Sequence, residues 1–148
     1  MIPGGIRPNR EPDGNSVIFE APAGLIVVDT GRHLWHREAI LSFARTRAKS
    51  IVAIVNTHWH LDHVSGNAAL RTAFPELRVH ASDAINRALT GFLASSAKEN
   101  AAYLDDPRFP EELREDIRGD LLTIQKGAAL KPDVVITASG AMGLGGRV

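Results

Sequence analysis

The sequence predicts an α/β fold built on a mixed β-sheet with helices on one face. Short apolar runs alternate with segments of helical periodicity along the 148 residues, and this alternation is typical of a layered α/β domain. Residues 51–55 form a nearly continuous apolar run, as expected for a strand covered on both faces. With 44% hydrophobic residues, the chain can form one core, so we expect residues 1–148 to be a single domain.

The first elements predicted are two strands joined as a hairpin. Residues 16–20 and 24–28 are strand-like runs, and the short Ala21-Pro22-Ala23 connection between them suits a hairpin. Residues 1–15 are rich in Pro, Gly and Asn, which predicts a flexible lead-in.

The remaining elements alternate between helix and strand. Helical spacing of apolar residues, with glycine and proline as stops, sets the helices, and short β-branched runs set the strands. The predicted order is helix 36–49, strand 51–55, a helix from 65 or 66 that stops before Pro75, strand 77–81, a helical face over 83–92, a helix from 110 or 111 to about 127, and strand 134–137.

A histidine cluster follows the apolar strand directly. Three of the six histidines, His58, His60 and His63, fall within six residues, with Asp62 between them. In an extended segment residues i and i+2 point the same way, so His58 and His60 can bind one metal ion. Asp62 and His63 can then bind a second ion as the chain tightens. Imidazole and carboxylate are ordinary zinc ligands, although iron or manganese suits them as well.

The run His58-x-His60-x-Asp62-His63 after a hydrophobic strand resembles the signature of the metallo-β-lactamase superfamily. Residues 15–18, 25–31 and 65–67 resemble the surroundings of that signature, and the resemblance covers about residues 14–82. It implies an αββα sandwich, of which this chain supplies the N-terminal αβ half. It also implies hydrolysis of an ester, thioester, amide or phosphoester, which most members of the family catalyse. A few members are oxidoreductases.

The resemblance also implies roles for individual residues. His58 and His60 would bind one zinc ion, and Asp62 and His63 the other. Asp62 would be the catalytic residue that orients the attacking hydroxide. Asp29 would lie beneath the site and hold a ligand by a hydrogen bond, although a strand-end turn is an equal alternative for it.

The family pattern contains further ligands that this chain does not match. The next histidine of the family follows the strand that corresponds to residues 134–137, whereas the only histidine after the cluster here is His80. His80 is a possible extra ligand or simply a polar strand-end residue. Two donors for each ion are fewer than the three usual at catalytic zinc. We therefore expect the chain to be part of a longer enzyme, with little or no activity alone, and to form a homodimer through an exposed sheet face.

The composition limits the kinds of site and binding partner that we expect for this chain. The chain has no cysteine, a net charge of zero and no basic stripe, which excludes thiolate sites and disfavours nucleic-acid or membrane binding. We expect a cytoplasmic protein, or a periplasmic or secreted one if a signal peptide was removed. Three functions remain open: a zinc hydrolase acting on a small-molecule substrate, a non-enzymatic metal-binding or dimerising module completed by another chain, and a structural interaction domain with a vestigial motif.

Overall fold

A five-stranded mixed sheet forms the centre of the computed structural model, which describes residues 1–146. The strands lie in the order in which they occur along the chain; the first two are antiparallel and the others parallel. This confirms the predicted α/β fold with a mixed sheet. The strands are β1 (Val17–Ala21), β2 (Gly24–Val28), β3 (Ile51–Val55), β4 (Arg78–Ala81) and β5 (Val134–Val135).

Six α-helices and two 3-10 turns connect or follow the strands in the described part of the chain. The continuous helical face predicted over 83–92 is wrong at its end, because the chain breaks at Gly91 (φ −113°, ψ −102°) before helix resumes at Phe92. The helices are α1 (Leu34–Arg47), α2 (Leu61–Val64), α3 (Asn67–Ala73), α4 (Ala84–Thr90), α5 (Phe92–Ala101) and α6 (Glu111–Gln125), with turns at Ala102–Asp105 and Gly127–Leu130. Among residues 1–146, none of these helices has the length and apolar character needed to cross a bilayer.

One face of the sheet carries the main core. Leu25, Val27 and Ile54 are completely buried there, and they pack against Ile40 of α1 and Leu70 of α3. Burying each such side chain stabilises the fold by roughly 1.5–3 kcal/mol. Because β2, β3 and β4 are parallel, this packing brings their carboxyl ends to one edge of the sheet, where α/β proteins usually place their sites.

The opposite face of the sheet is only partly covered. Ile26 and Ala53 are buried beneath Leu144. Phe19, which pairs with Ile26 and so shares its face, is 54% exposed. Helices therefore cover one face, and apolar surface stays accessible at the edge of the other.

Residues 1–15 make specific contacts with the domain, which their composition did not indicate. Bridges join Ile2 to Ser16 and Gly5 to Asp13. The Asp13 carboxylate accepts hydrogen bonds from the backbone N–H groups of Arg32 and His33 at the start of α1. Arg32 and His33 lie about twenty positions from Asp13 in the sequence. The Pro and Gly content of residues 1–15 carries no information on such distant partners, so it predicts only a flexible segment.

A buried polar network lies under this N-terminal segment. Ser16 Oγ is 2.7 Å from His36 Nε2, and His36 Nδ1 is 3.6 Å from Asp13 Oδ2. Burial lowers the pKa of His36, more than the neighbouring Asp13 raises it, so the imidazole is neutral at pH 7. Although the three residue types match a hydrolytic triad, Ser16 is 0% exposed and no substrate can reach it. The network is structural.

Candidate metal centre

The four predicted metal donors lie together where β3 ends. We call residues 57–63 the histidine loop. His58 and His60 are exposed, whereas Asp62 and His63 are half-buried. The ring centroid of His58 is 4.6 Å from that of His60 and 4.0 Å from that of His63. The structure thus brings together all three imidazoles that the spacing singled out.

Asp62 and His63 have a separation that suits a shared ion. His63 Nε2 is 3.2 Å from Asp62 Oδ2. Two ligand atoms that are each about 2.0–2.2 Å from zinc lie roughly 3 Å apart at ordinary ligand angles. The donor chemistry and this spacing therefore fit a metal ion.

Asp29 supports the histidine loop from below. It is 4% exposed, and its backbone has the left-handed φ of +58°, which aspartate tolerates better than most residues. Its carboxylate accepts hydrogen bonds from Thr57 N (2.8 Å), Thr57 Oγ1 (2.7 Å) and His63 Nδ1 (2.8 Å). Because His63 donates through Nδ1, the lone pair on Nε2 faces the site.

The Thr57 hydroxyl extends the influence of Asp29 to His58. Since Thr57 Oγ1 donates its only proton to Asp29, it accepts from His58 Nδ1, 3.0 Å away. His58 then also has its Nε2 lone pair free. One buried carboxylate thus sets the tautomers of two predicted ligands. Nothing in the residues around Thr57 indicates this role.

The charge state of His58 also suits metal binding. Burial lowers its pKa, and the neighbouring His63 and His60 lower it further, against the opposing effect of Asp29 and Asp62. A lowered pKa keeps the imidazole neutral at pH 7, which is the form that binds a metal.

Buried amides fix the backbone beneath the loop. Asn67 is 0% exposed, its Nδ2 donates to Asn56 Oδ1 (2.7 Å), and its Oδ1 accepts from Thr30 Oγ1 (2.9 Å). Thr30 N and Asn56 Nδ2 both donate to the carbonyl oxygen of His63. Asn67 therefore joins three segments behind the site.

Gly14 is a further residue whose role the sequence did not predict. Its N–H donates to the Asp62 carbonyl (3.3 Å). A Cβ at this position would lie 2.7 Å from that oxygen and 3.0–3.1 Å from atoms of the His63 ring. Only glycine fits here without displacing the donors, and nothing local in the sequence distinguishes it from the chain's other glycines.

His80, the possible extra ligand, lies at the end of β4. Its carbonyl accepts from Asn56 N, but its buried Nδ1 has no hydrogen-bond partner within residues 1–146. Burial lowers the pKa of His80, and the charged groups that influence it are Arg78 and Asp133 rather than the histidine loop. The described contacts give no support to ligation by His80.

Aromatic side chains border the loop on one side. The Trp59 ring lies 4.5 Å from that of His60 and 5.5 Å from that of Phe92, between ring centroids. Trp59 is half-buried, whereas Phe92 is 66% exposed. The break at Gly91 places Phe92 at this position, so the imidazoles have an accessible apolar neighbour.

The donors do not form a complete metal site by themselves. Among residues 1–146, no group of three or more His, Asp or Glu side chains has the arrangement needed to hold an ion. The pair Asp62 and His63 has a suitable spacing, but a third donor at the same point is lacking in the described part of the chain.

Comparison with known proteins gives matches in sequence and in fold. A family model described as the metallo-β-lactamase superfamily matches residues 10–138. The linear primary-alkylsulfatase of Pseudomonas sp. (strain ATCC 19151) is 37% identical over 73 residues, which are 46% of this chain and 14% of that protein.

Two solved structures share the fold over nearly the whole chain. BLEG-1 B3 metallo-β-lactamase aligns with a TM-score of 0.52 at 18% identity, covering 98% of this chain and 56% of that one. TTHA1623 in a di-iron-bound form aligns with a TM-score of 0.50 at 21% identity, covering 99% and 58%. At these identities the likeness concerns the fold alone, and the chain spans little more than half of either structure.

Proposed function

The chain belongs to the metallo-β-lactamase superfamily, and on that premise we propose that it provides the zinc-binding loop of a hydrolase acting on a small-molecule substrate. The observation that carries the proposal is the arrangement of Asp62 and His63, whose donor atoms are 3.2 Å apart. Asp29 holds His63 in the tautomer that a metal ligand requires.

Each donor has a distinct role in this proposal. His58 and His60 would hold one ion, and Asp62 and His63 a second. The ions would supply Lewis acidity and lower the pKa of water to near neutrality. Asp62 would orient the attacking water by accepting a hydrogen bond from it. Asp29 and Thr57 would keep both Nε2 lone pairs directed at the ions.

We propose an ester, thioester, amide, phosphoester or sulfate ester as the bond that is cleaved. The likeness to an alkylsulfatase, 37% over 73 residues, supports including sulfate esters. Trp59 and the exposed Phe92 would contact an apolar part of the substrate beside the ions. Zinc is the first choice for these donors, and iron or manganese would suit them too.

Metal content per chain, measured by plasma mass spectrometry on protein purified without added metal, tests the proposal first. We expect close to one or two zinc ions per chain, lost in the double variant His58→Ala, His60→Ala and kept in His80→Ala. Any hydrolysis of p-nitrophenyl acetate, phosphate or sulfate, which should be weak with only two donors for each ion, should be lost together with the metal. A protein without metal, or activity unchanged in the double variant, would contradict the proposal.

A second function is favoured by the number of donors. Two donors for each ion are fewer than a catalytic zinc usually has, which supports a non-enzymatic metal-binding module completed by another chain. A second copy covering the accessible sheet face at Phe19 would be one such partner. Stoichiometric zinc without hydrolysis, in a protein that light scattering shows to be a dimer, would favour this alternative.

A further inference from the structure

A separate cavity lies on the helical side of the domain. It has a volume of about 570 Å³ and is enclosed by the start of α1, the outer face of α3 and one side of α6. This volume is within the range of small-molecule sites, roughly 300–1,000 Å³. None of the four predicted metal donors lines it, so the cavity is distinct from the metal centre.

Two of the arginines in the cavity wall already bond carboxyl groups. Arg10 bonds Glu115 and Asp116, each at 2.7 Å. Arg32 bonds Asp120, and the exposed fractions of these two side chains are only 14% and 10%. All three carboxylates of the wall are therefore committed to these two guanidinium groups.

Arg37, a third arginine of the wall, has no such partner. It is half-buried, and within residues 1–146 no carboxylate lies within ion-pair distance of it and its Nε lacks a hydrogen bond. Burial lowers the pKa of Arg37, and the nearby charges of Asp13 and Glu38 offset this effect only in part. Lys126 also lines the cavity. The wall thus has spare positive charge.

The same cavity has an apolar side. Leu34 and Leu122 both line it, and they are 63% and 57% exposed. Trp35, Ala68 and Ala69 add apolar surface between them. A ligand that filled the cavity would cover leucine side chains that now contact water, which is favourable in proportion to the area buried.

We propose that this cavity binds a small organic anion with an apolar body, with Arg37 as the counter-ion of its carboxylate or sulfate group. Leu34 and Leu122 contact the apolar body. Asp116 and Asp120 add little repulsion, because Arg10 bonds Asp116, and Asp120, whose pKa burial raises to about 7, bonds Arg32.

Calorimetric titration with octanoate and with uncharged 1-octanol tests the charge requirement. The titrations use protein freed of metal with EDTA and, in parallel, the His58→Ala, His60→Ala variant, so the result does not depend on the metal centre. We expect octanoate to bind at least roughly tenfold more tightly than octanol, since a charged hydrogen-bonded pair is involved. Arg37→Met should abolish that difference, whereas Arg45→Met, an exposed arginine of the same helix, should preserve it.

Filling the cavity tests its location. Gly119 of α6 lines the cavity, and a Cβ there would meet no atom within 4 Å. In Gly119→Leu the new side chain should enter the space and weaken octanoate binding at least roughly tenfold. The thermal midpoint should not fall, because leucine favours helix over glycine. Equal affinity for octanoate and octanol, no binding at millimolar octanoate, or full binding in Gly119→Leu would each overturn the proposal.

Discussion

The histidine loop and the arginine–carboxylate cluster differ in the exposure of their polar side chains and in how far apart in sequence these side chains lie. The loop takes its donors from seven consecutive residues, and His58 and His60 are exposed. In the cluster, which comprises Arg10, Arg32, Asp116 and Asp120, the ion pairs join positions 106 and 88 residues apart in sequence, and both aspartates are buried.

The difference follows from the cost of burial. Exposed imidazoles are solvated when no ligand is present, so a loop can display them without partners. Buried charges need partners, because an unpaired one costs several kcal/mol. Accessible donors are therefore suited to an external ligand, whereas the cluster fixes α6 against the N-terminal segment.

Removing the charge of Asp29 should have the largest effect. Asp29→Asn keeps a residue that tolerates the φ of +58°, but it loses the carboxylate that sets the tautomers of His58 and His63. We expect zinc affinity to fall roughly 10- to 100-fold, measured by competition with a chromophoric chelator. Asp83→Asn, an exposed aspartate at the start of α4, is the control. Unchanged zinc affinity in Asp29→Asn would show that the Asp29 carboxylate does not contribute to metal binding by the histidine loop.

Gly14→Ala should have an intermediate effect. Its Cβ would lie 2.7 Å from the Asp62 carbonyl oxygen, so the loop or the N-terminal segment has to move. We expect a loss of about 2 kcal/mol in the free energy of unfolding, measured by urea denaturation, together with weaker zinc binding. Gly5→Ala, where a Cβ would meet nothing within 4 Å, should change neither. If the two variants behaved alike, the close contact would have no consequence.

The third effect concerns the cluster and appears only as a change of stability with pH. Burial raises the pKa of Asp120 from 3.8 to about 7, although Arg32 opposes the shift. The folded protein then keeps a proton that the unfolded chain releases, so this group makes folding less favourable as pH rises from about 4 to 7. Relative to the wild type, Asp120→Asn should gain about 2 kcal/mol in the free energy of unfolding between pH 5 and pH 7.

Urea denaturation at several pH values measures this difference. The histidines with lowered pKa, among them His36 and His80, act in the opposite direction but affect both proteins alike. Asp105→Asn, at an exposed position, should show no such trend. A constant difference between Asp120→Asn and the wild type would mean that Asp120 is ionised throughout the range.

The histidine loop could be predicted because its donors lie within a few consecutive residues of the sequence. Spacing alone placed His58, His60 and His63 together, and the short apolar run before them indicated the strand that presents them. Most helices and strands could be predicted as well, because the periodicity of apolar residues is also a local property of the sequence. The pattern over 83–92 failed at Gly91, because periodicity reports which residues are buried and not whether the backbone continues as helix.

What the sequence did not show depends on contacts between distant segments. Gly14 matters because Asp62 lies against it, and Thr57 because its hydroxyl reaches Asp29. Arg37 is distinguished because it is half-buried and no carboxylate within residues 1–146 lies at ion-pair distance. None of these relations leaves a signal within a short window of sequence.

The contact between Gly14 and Asp62 also bears on local unfolding. Residues 1–16 lie against the back of the histidine loop, and some of their hydrogen bonds reach its backbone and the start of α1. Opening of this segment would release the Asp62 carbonyl and admit water behind His63. The two stretches therefore form one cooperative unit, and their amide protons should exchange with solvent together although some fifty residues separate them.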